Sequence, residues 1–157
     1  MVATSINPAR ILLVEDDAND VELIQMALGP SGIINRLDIV EDGEQALTYL
    51  LGADKRSPQL PLPGLVLLDL KLPKINGLEV LRAIRHHPKT ARLVVVIVTS
   101  SAEDRDLENC YKLGINSYVV KPLDFQQFSN VAHQIGAYWM SVNQIPSSLV
   151  SGVFPNT

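Results

Sequence analysis

Five short apolar runs, each stopping on a polar residue and each followed by a stretch with helical spacing, constrain this chain more than any other feature of it. The runs are 11–14, 37–40, 65–68, 93–98 and 118–120. Apolar runs alternating with amphipathic stretches call for parallel strands joined by crossover helices. The first, third and fourth runs are apolar on both faces, as central strands covered by helices on each side must be. Between the runs, helical stripes read as Val21, Ile24 and Leu28; Ala46, Leu47 and Leu50; Val80, Leu81 and Ile84; and Leu107, Cys110 and Tyr111. Each stripe ends at a breaker: Gly29 with Pro30, then Gly52, Pro88 and Gly114. A last helix is predicted over 124–142, with Phe125, Phe128, Val131, Ala132, Ile135, Trp139 and Val142 on one stripe. The expected fold is α/β, a doubly wound sheet of five parallel strands.

Two stretches fall outside this scheme. Residues 52–64 hold Pro58, Pro61 and Pro63 and read as an extended surface loop. The tail 143–157 is broken by Pro146 and Pro155, yet Ile145, Leu149, Val150, Val153 and Phe154 make it unusually apolar for a terminus. The expected organisation is an arm over 1–8, one domain over 9–142 and the tail beyond. The 157 residues suffice for one core, and 46% hydrophobic with 19% charged residues excludes intrinsic disorder. The longest apolar run, 93–98, is far below the roughly 18 residues of a membrane span, and the amino-terminal stretch does not read as a secretion signal. One cysteine, Cys110, excludes an internal disulfide framework and suits a reducing compartment, so a cytoplasmic location is expected. A net charge of -4, with no Lys or Arg after Lys121, argues against nucleic acid and anionic lipid as partners, and residues 143–157 are too few for a helix-turn-helix.

Chemistry collects where the runs stop. Glu15, Asp16 and Asp17 follow the first, Asp69 the third, Thr99 the fourth and Lys121 the fifth. In an open parallel sheet those carboxyl ends share one edge, where such folds bind ligands. Carboxylates crowded together raise one another's pKa and favour a divalent cation, and an all-oxygen set with open positions suits Mg2+ better than zinc. A carboxylate beside Mg2+ can act as nucleophile toward a phosphoryl group, with Lys121 neutralising the incoming charge and Thr99 donating to a phosphoryl oxygen.

Val14, Glu15 and Asp16; Asp42, Gly43 and Ala46; Leu68, Asp69, Pro73, Asn76 and Gly77; Val98, Thr99 and Ser100; and Tyr118, Lys121 and Pro122 together resemble, in order, the motifs of the response-regulator receiver domains of two-component signalling. The resemblance spans roughly residues 9–140. It implies a flavodoxin-like receiver fold with strand order 2-1-3-4-5, and a phosphorylation switch rather than an enzyme acting on external substrates. It implies Asp69 as phosphoacceptor, Asp16 and Asp69 as direct Mg2+ ligands, Glu15 acting through water, and the Lys71 backbone carbonyl completing the set. Thr99 and Tyr118 would be the switch pair, and the Lys121–Pro122 bond is cis in the family. Asn76 stands where many members carry Asp, and Lys71 follows the acceptor by two; both bear on the lifetime of the phosphoryl group. The tail, the long last helix with Tyr138, Trp139 and Met140, and the Pro-rich loop resemble single-domain regulators that partner cyanobacterial phytochromes, which implies a sensor histidine kinase as donor.

Plainer roles account for other residues. Asp17 is as good a helix cap as a pocket member, His86 and His87 suit the negative end of the third helix, His133 is solvated, and Cys110 packs as a small hydrophobe. A phosphohydrolase of the haloacid-dehalogenase type would need a second Asp where Lys71 stands. A nucleotide or flavin carrier would meet repulsion from Glu15, Asp16 and Asp17, and a receiver-shaped scaffold that takes no phosphate would not need the full pocket. The last helix, about 28 Å long over 124–142, overhangs the sheet, so a homodimer through Tyr138, Trp139, Met140, Val142 and the tail is expected; the alternative is that the tail folds back and covers the overhang within one chain.

Overall fold

The computed structural model describes residues 6–29, 36–58 and 61–150. β1 (Ile6–Val14), α1 (Ala18–Leu28), β2 (Arg36–Val40), α2 (Gly43–Leu51), β3 (Leu62–Leu68), α3 (Gly77–His86), β4 (Val95–Thr99), α4 (Asp104–Lys112), β5 (Ser117–Val120) and α5 (Phe125–Ala137) follow one another in chain order. All strand pairs are parallel and the order is β2-β1-β3-β4-β5, with β1, β3 and β4 in the interior.

Period-two alternation divides the interior strands between two cores. Leu12, Val14, Val66, Leu68, Val95 and Ile97 face α2, α3 and α4, where Leu50, Leu81, Ile84 and Cys110 pack. Ile11, Leu13, Leu65, Leu67, Val96 and Val98 face α1 and α5, where Ile24, Leu28, Phe128 and Ile135 pack. Four helices begin on a side-chain cap: Asp17 accepts from Asn19 and Asp20, Asp42 from Gln45, Asn76 from Glu79 and Asp124 from Gln127. These caps satisfy amides that the first turn leaves without partners.

The structure revises several boundaries. β3 begins at Leu62 and absorbs the end of the expected loop, Pro63 included. β4 does not join until Val66 pairs with Val95, so this end of β3 has only β1 beside it and a missing amide costs nothing on the open side. β1 likewise starts at Ile6 rather than 11, with a bulge between Asn7 and Ile11; a Cβ on Gly64 would stand 2.9 Å from Pro8 Cα, so glycine permits the close approach there. β4 starts two residues later than expected, at Val95 rather than 93, and takes in Thr99. Pro30 lies outside the described residues, as do Val153, Phe154 and Pro155.

The last helix is also shorter than expected. α5 ends at Ala137 and a π turn carries the chain over Tyr138–Val142. Phe125, placed on the buried stripe by periodicity, is exposed, as are Tyr111 on α4 and Val142. Trp139 and Met140 pack on the α1–α5 core, and the Trp139 ring meets Tyr138 edge-on. The tail then crosses to the other core: Ile145 packs against it, Leu149 is buried in it, and Val150 bridges Ile6 in parallel. Trp139 and Met140 are thus covered by their own core, while the described part of the tail packs on the opposite core and Tyr138 and Val142 stay exposed.

Candidate functional site

Backbone ladders place the strand-end side chains. The amide of Glu15 donates to the Val40 carbonyl at 3.0 Å, that of Asp69 to Val14 at 3.1 Å and that of Lys121 to Thr99 at 2.7 Å. Each residue is one step past a strand, fixed by the final rung, so three side chains arrive at one edge with little freedom. Gly77 fixes the fourth wall. A Cβ there would lie 2.1 Å from the Asp69 carbonyl oxygen and 2.6 Å from Leu70 Cα, so only glycine lets the start of α3 sit against the end of β3.

The cleft formed in this way has a volume of about 630 Å3, and Glu15, Asp16, Asp17, Asp69, Lys71 and Lys121 are among its lining residues. Carboxylate oxygens of Glu15, Asp16 and Asp69 all lie within 4.8 Å of one another. Lys121 Nζ donates to Glu15 Oε1 at 2.6 Å, Asp20 Oδ2 at 2.7 Å and Asp69 Oδ2 at 3.0 Å, using all three of its protons. Asp69 Oδ1 accepts from the Lys71 amide at 3.3 Å. Glu15 Oε2 accepts from the amides of Asp16 and Asp17.

One ammonium among three carboxylates leaves net negative charge. Burial alone would lower the Lys121 pKa, but its bonds to Asp20 and Glu15 and the charge of Asp69 outweigh burial and hold it above the ordinary lysine value. The cost falls on the most deeply buried acid. Desolvation raises Glu15 to about 7; the bond from Lys121 opposes that rise, and the neighbouring Asp69 charge adds to it. The ligand atoms that the acid cluster offers are carboxylate oxygens, so its chemistry suits a hard divalent cation.

The structure brings Glu15, Asp16, Asp69, Lys71 and Lys121 together. Thr99 and Tyr118 stand behind them. Thr99 is fully buried and its Oγ1 accepts from the Ser101 amide at 3.4 Å, while Ser100 lines the cleft. Tyr118 packs against the α2–α4 core and its hydroxyl donates to the Ser101 carbonyl at 2.9 Å. Asp17 caps α1 as well as lining the cleft. Sequence reading missed Asp20. Its signal was available: it lies in the first turn of a helix that starts directly after the acidic strand end, one turn beyond Asp17.

The family profile described as "Response regulator receiver domain" matches residues 11–133. Among curated proteins, the probable methanogenesis regulatory protein FilR2 of Methanothrix harundinacea is 38% identical over 140 residues, 89% of each chain. Response regulator Rcp1 of Synechocystis sp. is 36% identical over 143 residues, covering 90% of this chain and 95% of its own length. The Mn2+-bound structure of Rcp1 superposes with a TM-score of 0.81 at 35% identity, over 88% of this chain and 99% of that one. The phosphorylated cyanobacterial phytochrome response regulator RcpA gives the same TM-score of 0.81 at 34% identity, over 88% and 98%.

Proposed function

This chain belongs to the response regulator receiver domain family, and from that premise we propose that it accepts a phosphoryl group on Asp69 from a sensor histidine kinase and passes the change on through protein contacts. The observation that carries the assignment of Asp69 is Lys121 Nζ at 3.0 Å from Asp69 Oδ2, within a cluster where Asp16 and Glu15 oxygens also converge. An Asp69 oxygen attacks the phosphorus of a phosphohistidine. The P–O bond forms as the P–N bond breaks, and the leaving imidazole nitrogen keeps the electron pair and takes up a proton. Lys121 meets the charge carried by the phosphoryl oxygens. Thr99 and Tyr118, joined through Ser101, are the pair that would report the new charge to α4 and β5. The test is transfer of label from the phosphorylated kinase in the presence of Mg2+, with the label mapped by mass spectrometry. Label on Asp69 is expected; stoichiometric label on another residue overturns the assignment.

Receiver domains bind Mg2+ or Mn2+ at an acidic pocket, and the donor set here fits such an ion. Asp16 and Asp69 would hold it directly, Glu15 through water, and the Lys71 carbonyl from the backbone. When bound, the ion neutralises charge on the transferring group. Asp16→Ala is expected to weaken Mn2+ binding at least about tenfold, since so few protein ligands share the work. Calorimetric titration that finds affinity within a factor of about two of wild type would remove Asp16 from the ligand set.

The similarity to RcpA supports a phytochrome-type kinase as the donor. A second, more apolar cleft of about 560 Å3, lined by Leu23, Met26, Pro122 and Phe125, supports docking of the donor, because it shares Asp20, Ser100 and Lys121 with the acid cleft. The reading sets the protein in the cytoplasm, and among the described residues no helix is long and apolar enough to cross a membrane. A homodimer through the end of the last helix also belongs to the proposal, now centred on exposed Tyr138 and Val142 rather than on Trp139 and Leu149, which pack inward. Light scattering is expected to give a dimer that Val142→Asp dissociates. A full-length monomer at tens of micromolar overturns this part.

A further inference from the structure

Ser101 is held from three sides. Its amide donates to Thr99 Oγ1 at 3.4 Å, its carbonyl accepts from the Tyr118 hydroxyl at 2.9 Å, and its own hydroxyl donates to Asp106 Oδ2 at 2.5 Å. The residue is 7% exposed. Asp106 belongs to the first turn of α4, a helix whose N-cap residue, Glu103, makes no side-chain cap bond. The Glu103 amide turns instead to Ser101 Oγ at 3.3 Å. Asp106 also lines a small hollow of about 210 Å3 with Leu70, Lys71 and Asn76. Its carboxylate therefore stands between the loop after β4 and the loop that follows Asp69.

A phosphoryl group on Asp69 would bring close to two negative charges and three acceptor oxygens into a cleft whose lysine is already fully engaged. It needs new donors. The nearest stretch able to offer them is the segment 99–101, but the Thr99 hydroxyl is turned under the loop, and moving that segment toward Asp69 pulls Ser101 away from Asp106. We propose that Asp106 is a positioning residue that latches Ser101, holding the loop after β4 in the arrangement seen here, so that phosphorylation must break the Ser101–Asp106 bond before Thr99 can reach the phosphoryl group. This inference rests on Asp69 as the acceptor. Because ligands and loop share one equilibrium, weakening the latch raises affinity for anything that favours the released loop, in the same proportion.

The test uses beryllofluoride, a phosphoryl mimic, titrated by calorimetry into the full chain at saturating Mg2+. A hydrogen bond to a charged partner supports a shift of about tenfold. Ser101→Ala and Asp106→Ala are each expected to tighten beryllofluoride binding by about that factor, and the double variant no further than either, because both remove one bond. Asp106→Asn keeps an acceptor oxygen and should stay within about twofold of wild type. Mg2+ affinity without beryllofluoride should not move in any variant. Equal gains in Asp106→Ala and Asp106→Asn with none in Ser101→Ala would assign the effect to charge repulsion and overturn the latch. Lower thermal stability with unchanged beryllofluoride affinity would make the bond a helix-start contact only and overturn it too. If the wild-type chain takes up no beryllofluoride at all, the acceptor assignment itself fails, and the latch with it.

Discussion

Asp69→Asn is expected to reduce phosphoryl incorporation to background, from a phosphorylated kinase or from acetyl phosphate alike. The amide has the same shape but carries no charge, so it is not a competent nucleophile and offers Lys121 Nζ, 3.0 Å away, only a neutral acceptor in place of a carboxylate. Another carboxylate cannot easily substitute. Glu15 is buried with its pKa pushed to about 7 and is tied to Lys121, and Asp20 stands on α1 with Lys121 between it and Asp69. Incorporation in the variant at a rate comparable to wild type would falsify the assignment. The same change carries a second, opposite-signed signature in EDTA. Burial pushes Glu15 up to about 7 in the folded chain from an ordinary value of 4.5, so the folded state binds more protons in that window. Stability then falls as pH rises from about 4.5 to about 7 and is flat above. Removing the Asp69 charge removes one of the causes of the Glu15 rise. Asp69→Asn should therefore shrink that pH dependence and leave the metal-free chain more stable at pH 8 than wild type, as read by denaturant midpoint.

The largest loss of stability without loss of chemistry is expected at the opposite edge of the sheet, from Arg85→Ala. Arg85 Nε donates to the Gly114 carbonyl at 3.0 Å, Nη1 to the carbonyls of Ala91 and Leu93 at 3.0 and 2.8 Å, and Nη2 to Asn116 Oδ1 at 3.1 Å. Asn116 in turn accepts from the Val95 amide at 2.8 Å. One guanidinium thus ties the end of α3 to the chain entering β4 and to the loop entering β5. Truncation leaves several carbonyls short of a donor, and a cost of about 3 kcal/mol follows from the loss of charge-assisted bonds. Lysine should rescue little, because a single ammonium cannot match the planar fork. Urea unfolding should show a lower midpoint with an unchanged slope. Label transfer to Asp69 per folded molecule should remain as in wild type, since Arg85 and Asp69 lie toward opposite edges of the sheet. A loss below about 1 kcal/mol would show that water replaces the fork at little cost.

Much of this protein could be read from local pattern. The runs at 65–68 and 93–98 announce central strands because burial on both faces requires apolar residues at every position, and the stripes at Val80, Leu81 and Ile84 announce α3 because one helix face must meet the sheet. Glu15, Asp69 and Lys121 were legible as well, since a strand that ends at a ligand edge changes from apolar to charged within one residue. What tertiary structure alone decided depends on partners far away in the chain. Asp20 reads as a first-turn helix acid until Lys121, 101 residues on, donates to it. Pro63 reads as a loop residue until β4 is seen to start too late to need its amide. Trp139 reads as an overhang until the π turn is seen to set it against the α1–α5 core. Ser101 reads as one more residue after a strand until Thr99, Tyr118 and Asp106 are seen to meet on it. Periodicity reports how much each position is buried. It does not report which distant groups share the burial, because that is fixed by the order in which the five strands lie side by side.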